Sequence, residues 1–375
     1  MSEIENLMVP PPGTYIREEL EARNWTQRDL AFVLGVPEQA VNMIVAGKRG
    51  ISPEMAKTLG EAFDVPAEFF MNLQREYELS RARKPDPSVS RRAKLQEHYP
   101  VREMIRRGWL EDVDAQMLEI HLARFFEVPS CDDVPHLRHA AKKTHYDEVP
   151  PSQIAWLFRV RQIARSVQVT SYSEKHLREA TGELARLLLA PEEIRHVPRI
   201  LAECGVRFVV VEALPGSKID GVCLWLDAAS PVIGMSVQRD RIDNFWFVLR
   251  HEIEHVLRGD GKTIECMDLD IDPVSDQDTD ALPSVEQIAN AEAAEFCVPQ
   301  RALDDFIARI QPYFSEQRIQ LFAQKLNLHP GLVVGQIQRR LKRYDFLKKH
   351  QVRVRQFVFP AAFADGWGQS FPVNL

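Results

Sequence analysis

The stretch Phe245-Trp-Phe-Val-Leu-Arg-His251-Glu252-Ile-Glu-His255-Val-Leu257 carries an H-E-x-x-H pattern inside a helical apolar repeat. Two His four residues apart lie one above the other on a helix face, where both imidazoles can reach a single metal ion. Glu252 can then take a proton from water on that metal. Zinc is the expected cofactor, with other divalent ions as substitutes, because it brings such a water towards a pKa of ~7. Phe245, Val248, Leu249, Val256 and Leu257 supply the apolar face that buries the helix.

Working back from this helix, Val206–Glu212, Val222–Leu226 and Pro231–Ser236 read as short β-branched strands, and Leu214–Gly221 as a Gly/Pro-containing turn. A helix is expected over Glu192–Cys204, ending at Gly205. Working forward, a third ligand is expected from Glu286-Gln-Ile-Ala-Asn-Ala-Glu292-Ala-Ala-Glu-Phe-Cys-Val-Pro299, where Glu286 and Glu292 are both candidates. Between the two helices, residues 265–280 hold seven acids and no cation. They lack the Gly and the Glu of an EF-hand loop, so a solvated acidic loop is expected there.

The N-terminal part follows a different plan. Thr26-Gln-Arg-Asp29 is a capping-box sequence, Leu30, Ala31 and Leu34 follow at helical spacing, and Gly35 makes a turn. Pro37 then opens a helix from Glu38 to Ala46 that stops at Gly47. Helix, short glycine turn, helix is the helix-turn-helix arrangement. Across residues 1–80 there are seven Lys/Arg against thirteen Asp/Glu, a net of −6, so phosphate contacts are few and dimerisation or a neighbouring basic segment is needed for tight DNA binding. Residues 80–94 offer such a segment, with six cations and one acid. From 95 to 190 the pattern is helical, with apolar stripes at Met117, Leu118, Leu122 and Phe125 and at Ile154, Trp156, Leu157 and Ile163.

Whole-chain composition sets the limits. The 375 residues are 45% hydrophobic and 27% charged, with a net charge of −7, as for a globular protein of two or three domains. No apolar run approaches ~18 residues and no secretory signal opens the chain, so no membrane partner and a cytoplasmic location are expected. Five scattered Cys without C-x-x-C fit reduced thiols.

Two resemblances sharpen this. The text from Trp25 to Leu79 resembles the Xre/HigA-type helix-turn-helix domain. That resemblance implies Gln39 and Asn42 at base edges, Glu38 on the same recognition surface, and Gln27, Lys48 and Arg49 at phosphates of a double-stranded DNA operator. Residues 206–299, with "IDGVCLWL", "SPVIGMS", "RIDNFWFVLRHEIEH" and the Ala289-Asn290 pair, look like the ImmA/IrrE metallopeptidases. That family's downstream helix, laid on without gaps, puts the ligand on Glu286 and the closing proline on Pro299. It also places Glu292 where the family has Phe, which keeps a second register open. "RIQLFAQKLNLHPGLVVGQIQRRLKRY" looks like another helix-turn-helix that the family uses structurally, with a basic outer face at Arg339, Arg340, Lys342 and Arg343.

The expected fold is α+β: an all-α helix-turn-helix domain (1–79), a basic linker (80–94), a helical spacer (95–190), a zincin-like peptidase domain with a small sheet (191–350) and a tail (351–375). Val352–Phe359 in that tail reads as strand-like. The resemblances imply a DNA-binding regulator whose zinc endopeptidase, held by His251, His255 and Glu286 with Glu252 as base, cleaves a repressor, an antitoxin or its own 80–94 linker. No sequence pattern selects the group that steadies the oxyanion; His329 and the tyrosines are the residue types that could serve. The alternative is a HigA-type antitoxin and repressor, with a cognate toxin or a second copy of itself as partner, whose metal site is structural or sensory.

Overall fold

A computed structural model describes residues 9–130, 150–260, 262, 266–269, 284–366 and 369–371. The chain forms two compact units, Met1–Pro87 and Ser88–Leu375. The acidic stretch expected over 265–280 lies outside the described residues, apart from 266–269.

The first unit holds α1 (Pro12–Ala22), α2 (Gln27–Leu34), α3 (Glu38–Val45), α4 (Pro53–Phe63) and α5 (Ala67–Arg81). Its core is a single apolar cluster of Ile16, Leu20, Leu30, Leu34, Val41, Ile44, Leu59, Phe63 and Phe70. Local chemistry sets the α2 boundaries. The Thr26 backbone donates to Asp29 Oδ2 at 2.7 Å and the Asp29 backbone donates to Thr26 Oγ1 at 3.2 Å, closing the capping box. Gly35 ends the helix at φ 65°, a left-handed conformation that a side chain would strain, and so permits the tight turn into α3.

The second unit is a mixed six-stranded sheet covered by helices on both faces. After α6 (Pro87–His98), α7 (Val101–Arg106), α8 (Ala115–Phe125), α9 (Pro151–Ser166), α10 (Glu174–Arg186) and α11 (Val197–Glu203) come β1 (Arg207–Val211), β2 (Ile219–Trp225) and β3 (Pro231–Met235). Then follow α12 (Ile242–Arg258), β4 (Cys266–Leu269), α13 (Ser284–Cys297), α14 (Gln300–Ile310), α15 (Glu316–Lys325), α16 (Pro330–Leu341), α17 (Arg355–Val358), β5 (Phe363–Gly366) and β6 (Gln369–Phe371). The strand order is β4-β2-β3-β1-β5-β6. β1 runs parallel to β3 and β5, while β2 is antiparallel to β3 and β4.

Period-two alternation divides the strand residues between two cores. Phe208, Val210, Cys223, Trp225, Ile233 and Met235 face the side that holds α12. Val209, Val211, Val222, Leu224 and Val232 face α7, α8 and α9. Burial on both faces is why these strands read as continuous apolar runs without alternating polar residues.

The structure corrects the sequence reading in four places. Residues 95–190 are not a separate spacer, because α9 forms a layer directly on the sheet. Ile154 through Phe158 are all buried, a full turn of α9 covered on every side, and the Trp156 indole donates to Val211 O at 2.8 Å. Arg107 reinforces this layer by donating to the carbonyls of Glu212 (2.5 Å) and Ala213 (2.7 Å). The basic segment 80–94 is mostly helical, with α5 ending at Arg81 and α6 beginning at Pro87. Pro87 at the first helical position, with Arg91, Arg92, Ala93 and Lys94 in the second turn, favours helix despite the charge.

The tail is the third correction. It does not form a strand over 352–359, because Asp240 Oδ1 accepts from the backbones of both Val354 and Arg355 at 2.8 Å and caps the short α17. The strand comes later, as β5 beside β1. The fourth concerns 192–204, which is a 3-10 segment (Pro191–His196) followed by α11, with Pro198 at the start of the α-helical part.

Candidate metal centre and nucleic-acid surface

α12 buries every residue from Phe245 to Leu257, including both His of the H-E-x-x-H motif. The imidazoles converge as the i, i+4 spacing requires, with His251 Nε2 and His255 Nε2 2.9 Å apart. From α13, Glu286 Oε2 lies 3.3 Å from His251 Nε2 and Glu286 Oε1 lies 3.7 Å from His255 Nε2. Among the described residues this is the one group of His, Cys, Asp or Glu able to hold a metal. Tetrahedral zinc with bonds of ~2.0–2.1 Å spaces its ligands by ~3.3 Å, so two nitrogens with the Glu286 carboxylate, one oxygen towards each imidazole, are spaced to fit that ion.

Asp260 was not singled out in the sequence, yet it orients this cluster. Gly259 ends α12 in the left-handed region at φ 73° and folds the chain back. The Asp260 backbone then donates to His255 O at 2.9 Å, and its carboxylate Oδ2 lies 3.1 Å from His255 Nδ1. A carboxylate placed to accept at Nδ1 favours the tautomer in which His255 Nε2 turns its lone pair to the ligand triangle. The Trp225 indole fixes the loop by donating to Asp260 O at 2.8 Å. An acid just beyond a glycine that follows the second His was the available signal.

Glu252 is fully buried on the same helix, beside β2. Gly221 makes this possible, since a Cβ at that position would overlap Glu252 Oε1. Glu292, the other ligand candidate, does not join the triangle. Its carboxylate lies 3.0 Å from Arg250 Nη2, and Arg250 Nη1 donates to Glu254 at 2.9 Å. The carboxylate that replaces the resembled family's aromatic thus has an ion-pair partner on α12.

His329 is also placed elsewhere. It caps α16, its Nδ1 accepting from the Gly331 backbone at 3.1 Å, and burial followed by the neighbouring His350 lowers its pKa. Cys266, which the sequence offers as a fourth ligand able to block the metal, has its side chain outside the described residues. Arg339 is not on an outer basic face, for its guanidinium is stacked 4.0 Å above the Phe247 ring.

In the first unit, α3 buries Val41, Ile44 and Val45 and exposes Glu38, Gln39 and Asn42. Lys48 and Arg49 are exposed just beyond it, their backbones both donating to Met43 O (2.8 and 3.1 Å), and Gln27 is half-buried at the start of α2. These six side chains therefore lie on or beside one helix-turn-helix. Phe32 falls between the buried positions of α2 and is 88% exposed.

The two units define a protein that joins a helix-turn-helix to an α/β unit with a candidate metal centre. The helix-turn-helix family model matches residues 16–70, and through that domain the chain belongs to the helix-turn-helix family. Virulence-associated protein A' of Dichelobacter nodosus is 39% identical over 72 residues, which are 19% of this chain and 63% of the relative, so the chain spans under two thirds of that protein. The uncharacterized HTH-type transcriptional regulator YddM of Escherichia coli K12 is 30% identical over 75 residues, 20% of this chain and 80% of the relative.

Among solved structures, PA4674 of Pseudomonas aeruginosa in complex with its operator DNA is 44% identical, covers 19% of this chain and 77% of its own, and has a TM-score of 0.19. An addiction module antidote protein of a HigA family from Coxiella burnetii is 27% identical, covers 24% and 95%, and has a TM-score of 0.20. Among the described residues no helix is long and apolar enough to cross a membrane.

Proposed function

We propose that the chain is a DNA-binding transcriptional regulator carrying a zinc-dependent endopeptidase of ImmA/IrrE type with a zincin-like fold. The observation that carries the peptidase half is the convergence of His251, His255 and Glu286 with Glu252 buried on the same helix. Those three side chains would hold the metal, and Asp260 would keep His255 in the ligating tautomer. Bound there, zinc supplies Lewis acidity and makes water a nucleophile near neutral pH. Glu252 would take the proton from the attacking water on one carboxylate oxygen and return it to the leaving amine. Gly221 leaves the space in which that carboxylate sits. The substrate class is a protein, either a repressor or an antitoxin.

For the DNA half, Gln39 and Asn42 are suited to adenine edges and Lys48 and Arg49 to phosphates. The helix-turn-helix match and a relative described as a transcriptional regulator support this reading. A dimer would double the few phosphate contacts that one copy offers.

One observation favours a second reading, an antitoxin-type repressor with a structural or sensory metal. The cluster is deeply buried: both imidazoles are at most 1% exposed and the Glu286 side chain only 12%. Metal analysis of the purified full chain, with incubation against the products of adjacent genes, separates the two. One zinc per chain and a cleaved neighbour support the peptidase. Bound zinc, tight binding of a neighbouring toxin and no cleavage support the antitoxin. No retained metal overturns both.

A further inference from the structure

A cavity of about 50 Å³ opens between the start of α12 and α16, with room for on the order of four water molecules. Three guanidiniums line it, from Arg239, Arg241 and Arg339, together with Asp243, Asn244 and the Phe247 ring. Two of these cations have carboxylate partners. Arg241 grips Asp243 with bonds of 3.0 and 2.7 Å, and Arg239 lies 3.8 Å from Asp220. Among the described residues Arg339 makes no ion pair or hydrogen bond through its guanidinium, which rests on the Phe247 ring with the Tyr344 and Cys297 side chains nearby. Burial lowers its pKa, which is the direction expected of a cation removed from water. A stacked ring offsets only part of the cost of desolvating a guanidinium, and the rest calls for an anion.

The cavity is also close to the candidate metal centre. Phe247, its aromatic wall, precedes His251 by one helical turn, and the two ring centroids are 6.4 Å apart. Gly335 lets α16 close against this end of α12, since a Cβ there would overlap the Asp243 carboxylate.

We infer that this cavity is a binding site for a single anionic group, a carboxylate or a phosphoryl, held by Arg339 with Arg239 and Arg241 beside it. Next to the metal triangle it is placed to receive an acidic residue of the protein substrate. That role rests on the peptidase reading, whereas the binding of an anion does not.

The test is calorimetric titration of the EDTA-treated full chain with inorganic phosphate and, separately, with acetate. Saturable binding of either is expected, weakened at least ~10-fold in Arg339→Met and unchanged in Arg309→Gln, an exposed control. Preference for one titrant tells phosphoryl from carboxylate. On the unmodified chain, phosphate should also slow phenylglyoxal modification of Arg339 but not of Arg309, which removes any dependence on how a variant folds. Absence of saturation, equal binding by Arg339→Met, or binding only with metal present would each overturn the site. The last result would place the anion on the metal and leave the peptidase reading standing.

Discussion

Glu292 Oε2 lies 3.0 Å from Arg250 Nη2, so this carboxylate ties α13 to α12 while Glu286, nearly two turns earlier, faces the two imidazoles. The two acids therefore predict different losses. Glu286→Gln should weaken zinc binding by more than the ~10–100-fold typical of an outer-shell partner, as read by competition with a chromogenic chelator. Glu292→Gln should leave affinity unchanged and lower the melting temperature by no more than a few degrees, because its side chain is 52% exposed and such pairs contribute ~0–1 kcal/mol. Equal zinc loss in both variants would contradict the assignment.

Asp260→Asn removes the anionic acceptor from His255 Nδ1 and leaves the backbone turn in place. A drop of ~10–100-fold in zinc affinity is expected, with little change in the far-ultraviolet circular dichroism spectrum. Unchanged affinity would mean that the 3.1 Å contact does not set the tautomer.

Glu252→Gln should retain zinc at wild-type affinity and lose proteolysis of whichever neighbouring protein the wild type cleaves, by at least ~100-fold. Gly221→Ala should lose activity alongside it, because the added methyl meets the Glu252 carboxylate. Continued cleavage by Glu252→Gln would rule out the proposed proton transfer.

How far the sequence discloses this arrangement depends on how local each feature is. His251 and His255 are legible because a four-residue spacing on a helix is a complete geometric statement, whereas Glu286 is singled out from Glu292 only by the landmarks that the family resemblance supplies. The capping box at Thr26 and the Gly35 turn are equally local. Asp260 is not, since its role needs a left-handed glycine and an indole from β2. Gly221 reads as an ordinary turn residue until β2 is seen beside α12. Periodicity gave α9 its apolar faces but could not say that a sheet would cover one of them. Arg339 sits in a basic run, and only the packing of α16 on α12 turns it inward.

On the helix-turn-helix, the two kinds of contact predict different signatures. Gln39→Ala or Asn42→Ala should cost ~1–3 kcal/mol on the preferred operator and relax base preference. Lys48→Ala or Arg49→Ala should weaken all sequences alike and reduce the salt dependence of log K by ~0.9 per residue. Fluorescence anisotropy at several salt concentrations reads both effects. Identical behaviour of the two pairs would remove α3 from the major groove.

Stability against pH is expected to respond to His329. As the cap of α16 it accepts a hydrogen bond at Nδ1, which requires the neutral ring. Burial pushes its pKa below the ordinary 6.5, so below that pH the unfolded chain takes up a proton that the folded chain resists. The contribution is therefore intact above pH 6.5 and is lost as pH falls towards the depressed folded value, where protonation also removes the cap. His329→Asn retains a capping acceptor without a titrating group, so its melting temperature should match wild type near pH 7.5 and exceed it near pH 5. Parallel melting profiles for the two proteins between those values would show that His329 stays neutral, or protonates equally, in both states.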